Sequence, residues 1–307
     1  MKAAFFRKHG DPEELEYGEY PDPVAKPGEL LVEVHAASVN GADWRVVAGS
    51  YGPVAFFPYS PGRDFSGVVS ALGDGVTDFK VGDEVFGVCD VGIEAAYAEK
   101  VAIRASLVAR KPAGLSHVES AAVALIGLTA LCAVEDTLKV KAGETVLVQG
   151  GAGGVASFAL QVAKHTGCRV VTTTSAANID YVRSLGPDQV IDYNKEDFSQ
   201  LLSGVDAVFD TVGGDVGIRS YLVLSPGGRA AFIASGPKAP PTPRTDVIGL
   251  RPAVPRDRAH LDRISALIAA SAVKVPEITT YALAEAAKAN ALSKGRHFRG
   301  KLVLRCR

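Results

Sequence analysis

Between Thr145 and Ala156 the chain reads Thr-Val-Leu-Val-Gln-Gly-Gly-Ala-Gly-Gly-Val-Ala, an apolar β-branched run that meets a glycine cluster. Such a run reads as a buried strand, and the glycines let the backbone turn tightly into a helix. A helix that opens on this turn offers free N–H groups and the positive end of its dipole to an anion. Gly151-x-Gly153-x-x-Ala156 has the spacing that holds a dinucleotide pyrophosphate, with Ala156 where close helix–strand packing tolerates a methyl. Gly150, Gly153, Gly154 and Val155 are therefore the expected cofactor contacts. A strand–turn–helix without ligand shares the local pattern, but the context favours the ligand. Residues 153–166 read as a helix stopped by Gly167, and Arg169–Thr174 reads as the second strand of a βαβ unit.

The elements that position this turn differ in texture along the chain. Residues 1 to about 120 are strand-rich and punctuated by Gly and Pro, with strands expected at 30–36, 65–72 and 80–87. That pattern points to a partly closed β-barrel. From 122 to 236 strand and helix alternate, with strands expected at 145–149, 169–174, 189–192, 206–210 and 228–234. Repeated βα units imply a parallel sheet with helices on both faces. The apolar run 121–134 reads as a buried helix too short to span a bilayer. Segment 236–257 is rich in Pro and Arg, and reads as a surface connector or a flap with an extended piece at 247–251. Helices near 260–272 and 284–293 and a closing strand at 301–305 complete the chain.

Composition excludes several classes. With 47% hydrophobic and 22% charged residues over 307 positions, the chain is an ordinary globular protein long enough for two domains. A net charge of −1 gives no electrostatic case for nucleic acid or a membrane surface. The N-terminal residues lack the apolar core of a signal peptide. Cys89, Cys132, Cys168 and Cys306 are scattered, without a CxxC pair, so a reducing, cytoplasmic setting is expected and Cys89 reads as a buried, inert thiol. The six histidines show no ligand spacing.

Several further motifs occur in a specific order: Val34–Asn40 followed by Asp43, Pro61–Gly67, Val81–Val85, Gly127–Ala130, the glycine turn at 150–156, Val190–Tyr193, Phe209–Gly214 and Gly300–Leu304. In this order the chain resembles the zinc-free quinone oxidoreductase branch of the medium-chain dehydrogenases/reductases, along nearly its whole length. The resemblance implies an α/β protein with a barrel-like, GroES-like catalytic domain at 1–121 and 272–307 and a doubly wound Rossmann cofactor domain at 122–271. It also implies a homodimer. Zinc-dependent relatives hold the catalytic metal through Cys, His and Cys, and the matching positions here are Asn40, Arg63 and Leu125. None replaces a thiolate or an imidazole, so no metal is expected. Without a metal to polarise an alcohol, the remaining chemistry is hydride donation to an electrophilic acceptor, a quinone or an enone or enal.

An acid near the end of the second strand would hold the ribose of NAD, but that stretch reads Thr172–Asn178 without one. NADPH is therefore expected, with Ser175 as a 2′-phosphate contact or a helix N-cap. The resemblance adds Tyr193, otherwise a packed aromatic, and Lys195 can assist. It also places Asn40 near the nicotinamide ribose and the substrate oxygen, where a plain turn residue is the alternative. Tyr51 can donate to a developing enolate or hydroquinone oxygen, or be an exposed loop tyrosine. Arg63 and Asp64 touch ligand or pair with each other, and Asp43 joins the catalytic set or only orders its loop. Thr129 reaches the nicotinamide or bonds back to its own helix. Val212 and Gly213, beside Gly214, would let the backbone pass the nicotinamide ribose, and Lys301 completes the expected cofactor set. An NADPH-binding sensor with weak catalysis is the alternative to an enzyme.

Overall fold

The computed structural model describes residues 1–296 and 298–307. β1 (Lys2–Phe5) and β2 (Glu16–Glu19) form a two-stranded antiparallel ribbon. β3 (Glu29–Val39) follows, then α1 (Asp43–Val47), β4 (Asp64–Leu72), β5 (Glu84–Val88), β6 (Lys100–Arg104) and β7 (Val108–Arg110). Inward residues Leu30, Val32 and Val34 alternate along β3 and are fully buried, as the period of a strand requires. The strand expected to start at residue 80 starts only at Glu84. Lys80–Asp83 is a turn instead, with Gly82 at φ +91° and the Lys80 N–H donating to Asp83 Oδ2 at 3.2 Å. α2 (His117–Leu131) contains the expected buried helix and continues as a helical stretch to Thr137. Those 21 residues are long and apolar enough to cross a membrane, but 72% of their 18-residue apolar window is buried inside the fold, as in a core helix.

Six parallel strands come next: β8 (Thr145–Gln149), β9 (Arg169–Thr174), β10 (Gln189–Asp192), β11 (Val205–Asp210), β12 (Leu224–Phe232) and β13 (Ile248–Leu250). Helices α3 (Gly154–His165), α4 (Ile179–Arg183), α5 (Phe198–Leu201) and α6 (Gly214–Ser220) connect them. The strand order is β10-β9-β8-β11-β12-β13, so the chain reverses direction across the sheet between β8 and β11. A doubly wound sheet places its ligand crevice at the carboxyl ends of strands at such a reversal. The extended piece expected in the Pro-rich segment is β13, the edge strand, paired with β12.

The chain returns through α7 (Arg258–Ala269), β14 (Ile278–Ala282), α8 (Ala286–Gly295) and β15 (Lys301–Arg305). β15 joins β3 antiparallel, which completes a seven-stranded sheet of order β14-β15-β3-β4-β5-β7, with β6 also on β3. The chain divides into one unit of 1–125, 256–269 and 275–307 and another of 126–255 and 270–274. Residues 256–269 thus pack with the first unit, whereas the sequence placed them with the cofactor domain. Arg256 and Arg258 account for the difference. Arg256 donates to the Cys89 carbonyl at 2.5 Å, and Arg258 to the carbonyls of Ala105 at 2.8 Å and Val108 at 3.0 Å.

Candidate active site

In the parallel-sheet unit the site is built from backbone. Gly150 ends β8 at φ +79°, and its N–H donates to Thr173 Oγ1 at 3.1 Å. The Gly151 N–H donates to the Thr173 carbonyl at 2.9 Å, so the turn is tied to the neighbouring strand. A Cβ on Gly151 would lie 2.4 Å from Thr172 Oγ1, which itself donates to the Val148 carbonyl at 2.6 Å. That approach requires glycine at 151. Gly153 is the N-cap of α3; no side chain caps this end and no acidic residue sits in its first turn. The first N–H groups of α3, those of Gly154 and Val155 among them, keep their anion-binding capacity. Buried Ala156 fills the packing position as expected. The residues present fit a dinucleotide pyrophosphate.

At the next two strand ends, Thr174 of β9 pairs with Asp192 of β10, and the Tyr193 N–H donates to the Thr174 carbonyl at 3.1 Å. Ser175 and Tyr193 therefore leave the sheet side by side. Ser175 does not cap the following turn with its side chain; its Oγ accepts from Asn178 Nδ2 at 3.1 Å. Tyr193 is 58% exposed, so it is not a packed aromatic. Lys195 is exposed and lies 4.0 Å from Asp192. The carboxylate of Asp210, at the end of β11, accepts from the Val212 N–H at 3.0 Å and the Gly213 N–H at 3.0 Å. This clamp holds Gly213 at φ +81°, where a Cβ would meet the Ala234 carbonyl at 2.9 Å. Thr129 is buried on α2.

In the barrel-like unit the site is built from buried side chains. Asn40 Nδ2 donates to Asp64 Oδ1 at 2.7 Å, and Asn40 Oδ1 accepts from Lys301 Nζ at 2.7 Å. Lys301 also donates to the Val39 carbonyl at 2.6 Å, and Ser38 Oγ donates to Asp64 Oδ2 at 2.7 Å. Lys301, expected among the cofactor contacts, is here an internal cation that fixes the Asn40 amide. Burial pulls the Lys301 ammonium below its ordinary range, against the attraction of Asp64.

Arg63 does not pair with Asp64. It is 5% exposed and faces Glu94 at 3.3 Å and Asp43 at 3.9 Å. Neighbours along an extended chain point to opposite sides, which makes adjacent residues poor partners. Glu94 accepts from the buried phenol of Tyr59, whose oxygen accepts from the Glu94 N–H at 3.0 Å. Asp43 Oδ2 accepts from the Asn40 N–H and from Tyr97 Oη, each at 2.8 Å. It orders its loop, as the simpler expectation had it, and belongs to the network as well. Burial pushes the Asp43 carboxyl up to about 6, with Arg63 opposing the shift. The guanidinium of Arg63 lies 4.8 Å from the centre of the Tyr51 ring, and Tyr51 is 51% exposed. Cys89 is buried as expected, and burial pushes its thiol up to about 12.

Tyr59, Glu94, Tyr97 and Asn290 were not foreseen. Asn290 on α8 donates to the Ala286 carbonyl at 2.9 Å and lies 3.5 Å from Tyr97 Oη. One signal existed: Glu94 is a lone carboxylate in the run Val-Gly-Ile-Glu-Ala-Ala-Tyr-Ala, where an acid is tolerated only if paired. Among the described residues, no group of three or more His, Cys, Asp or Glu could hold a metal.

The alcohol dehydrogenase GroES-like domain matches residues 26–113, and the zinc-binding dehydrogenase domain matches residues 185–304. A chloroplast envelope quinone oxidoreductase homolog from Arabidopsis thaliana is 32% identical over 73% of this chain and 72% of its own length. A 2-methylene-furan-3-one reductase from Solanum lycopersicum is 36% identical over 71% of this chain and 58% of its own. The chain also spans 15% of the length of a mycobacterial polyketide synthase that matches 97% of it. The Escherichia coli quinone oxidoreductase solved with NADPH superposes with a TM-score of 0.90 at 28% identity, over 99% of each chain. The chain belongs to the medium-chain dehydrogenase/reductase family and to its quinone oxidoreductase branch.

Proposed function

We propose that the protein is an NADPH-dependent, zinc-independent reductase of quinones or of the C=C bond of α,β-unsaturated carbonyls. The observation that carries this reading is Tyr51, a half-exposed phenol whose ring lies over the buried Arg63 guanidinium. Asp43 and Glu94 lie within ion-pair distance of Arg63, so the cation under the ring is itself fixed and orients the ring. An oriented phenol supplies what a quinone or enone needs from protein: a hydrogen bond to the oxygen that gains charge, and a proton to it. NADPH, held by the glycine turn and by Ser175 and Tyr193, supplies the hydride. The absence of an acid at the end of β9 supports NADPH over NADH, as does the NADPH bound by the Escherichia coli enzyme. Asn40 and Arg63 stand where zinc enzymes carry ligands, and neither can take that role.

NADPH oxidation is measured with 1,4-benzoquinone and a short alkenal side by side. Tyr51→Phe is expected to lower kcat about tenfold or more, with NADPH affinity unchanged. Unchanged kcat on every accepted substrate removes Tyr51 from the mechanism. Tight NADPH binding with neither acceptor consumed leaves the sensor in place of the enzyme. One tightly bound zinc per chain overturns the metal-free chemistry.

A further inference from the structure

Two loops of the barrel-like unit carry large apolar side chains into solvent. Tyr51 and Phe56 lie between α1 and β4 and are 51% and 58% exposed; Val91 and Ile93 follow β5 and are both 65% exposed. Singly exposed apolar residues are ordinary, but four on two loops with a common anchor are not. The Tyr51 ring lies over Arg63, and the Phe56 ring is 5.8 Å from that of Tyr59. On the second loop, Glu94 takes the Tyr59 phenol and the Arg63 guanidinium and also accepts from the Gly92 N–H at 3.0 Å. Ile93 is the residue before Glu94. One buried ion cluster therefore anchors both loops: Tyr51 lies over Arg63, and Arg63 pairs with Glu94, which Val91 and Ile93 closely precede in the chain.

We infer that Tyr51, Phe56, Val91 and Ile93 form a subsite for an apolar tail on the acceptor, so that the preferred substrate is an alkyl-substituted quinone or enone rather than a compact one. The inference rests on the reductase reading for what carries the tail. Its argument is continuity: the ring that presents the proton-donating phenol is itself one wall of the patch. A tail laid there loses water from one side only, so each methylene gains about half of its full burial energy.

The test is binding, read without turnover. The chain has a single tryptophan, Trp44, in α1. Quenching of its fluorescence gives dissociation constants for 2-alkyl-1,4-benzoquinones with tails of zero to six carbons. Affinity should rise about twofold per methylene over the first carbons. In the double variant Val91→Ser, Ile93→Ser it should become nearly flat. Both substitutions are at exposed positions, so folding is not at stake. A flat series in the unmodified protein overturns the subsite, and so does a tail dependence that survives in the variant. If light scattering shows that the variant has lost a dimer, a second copy covers the patch and the subsite is overturned. Tail-dependent binding without turnover of any member keeps the subsite and defeats the reductase reading.

Discussion

The cofactor end of the parallel-sheet unit and the polar cluster of the barrel-like unit solve the same problem by opposite means. Around Gly150–Val155 the groups offered to a ligand are backbone N–H donors, and at Gly151 a side chain would collide with Thr172. Around Arg63 the interacting groups are side chains, and the backbone only delivers them. The first arrangement needs one local segment. The second gathers Ser38, Asn40, Asp43, Arg63, Glu94, Tyr97 and Lys301 from positions up to 263 residues apart. A backbone site is therefore sensitive to added volume, and a side-chain site to lost charge.

Lost charge should have the largest effect. Lys301→Met keeps the apolar stem but leaves the buried Asp64 carboxylate without its cation and Asn40 Oδ1 without its donor. Removing one partner of a buried pair costs about 3–5 kcal/mol. Urea unfolding should show a loss of that size, while NADPH affinity in the folded variant stays within about threefold of the parent. A large loss of NADPH affinity with little loss of stability would return Lys301 to the cofactor set and erase the distinction between the two regions.

The next effect is a pH dependence that belongs to the side-chain site alone. Three buried carboxylates, Asp43, Asp64 and Glu94, face two buried cations, Arg63 and Lys301. Asp43 relieves the imbalance, since its carboxyl is pushed up to about 6 from 3.8. A raised carboxyl pKa means that the fold favours the neutral form. Its contribution is complete below about pH 4 and is lost as pH rises through about 6. The shift corresponds to about 3 kcal/mol. Asp43→Asn lacks the titration, so the stability difference between parent and variant should drift by about 2 kcal/mol between pH 4.5 and 7, against the parent. A difference that stays constant with pH would mean that Asp43 titrates in its ordinary range.

These two tests bear on residues that differ in how far the sequence announced them. The six strands of the parallel sheet and the helix after the glycine turn lie within a few residues of their expected bounds, because strand period, turn glycines and helix stops are local signals. Asn40, Asp43, Tyr51, Arg63, Asp64 and Lys301 were singled out, but not which of them pair. Arg63 sits beside Asp64 in sequence and faces Glu94, 31 positions further on, in space. No spacing in the sequence relates Tyr97 to Asn290 or either of them to Asp43. A long-range pair leaves no period in the chain, and only the lone Glu94 in its apolar run hinted at one. The same limit explains residues 256–269. Their helix was legible, while their attachment to the first unit depends on Arg256 and Arg258 meeting carbonyls about 150 residues away or more.

Added volume should have a smaller effect, confined to the backbone site. Gly151→Ala places a methyl 2.4 Å from Thr172 Oγ1, and the collision should cost about 1–3 kcal/mol. Since the turn cannot keep both its place and the new methyl, NADPH affinity should fall by roughly tenfold or more at 1.4 kcal/mol per decade. Thr172→Ala alone removes a buried hydroxyl and its bond to the Val148 carbonyl, a loss of about 1 kcal/mol in stability with little change in NADPH affinity. The double variant Gly151→Ala, Thr172→Ala removes the atom that the methyl strikes. If steric approach sets the turn, the double variant binds NADPH more tightly than Gly151→Ala alone, with a coupling of about 1 kcal/mol or more. Additive losses would show that residue 151 must be glycine for the sake of the phosphates themselves, and that the neighbouring strand plays no part in holding the turn.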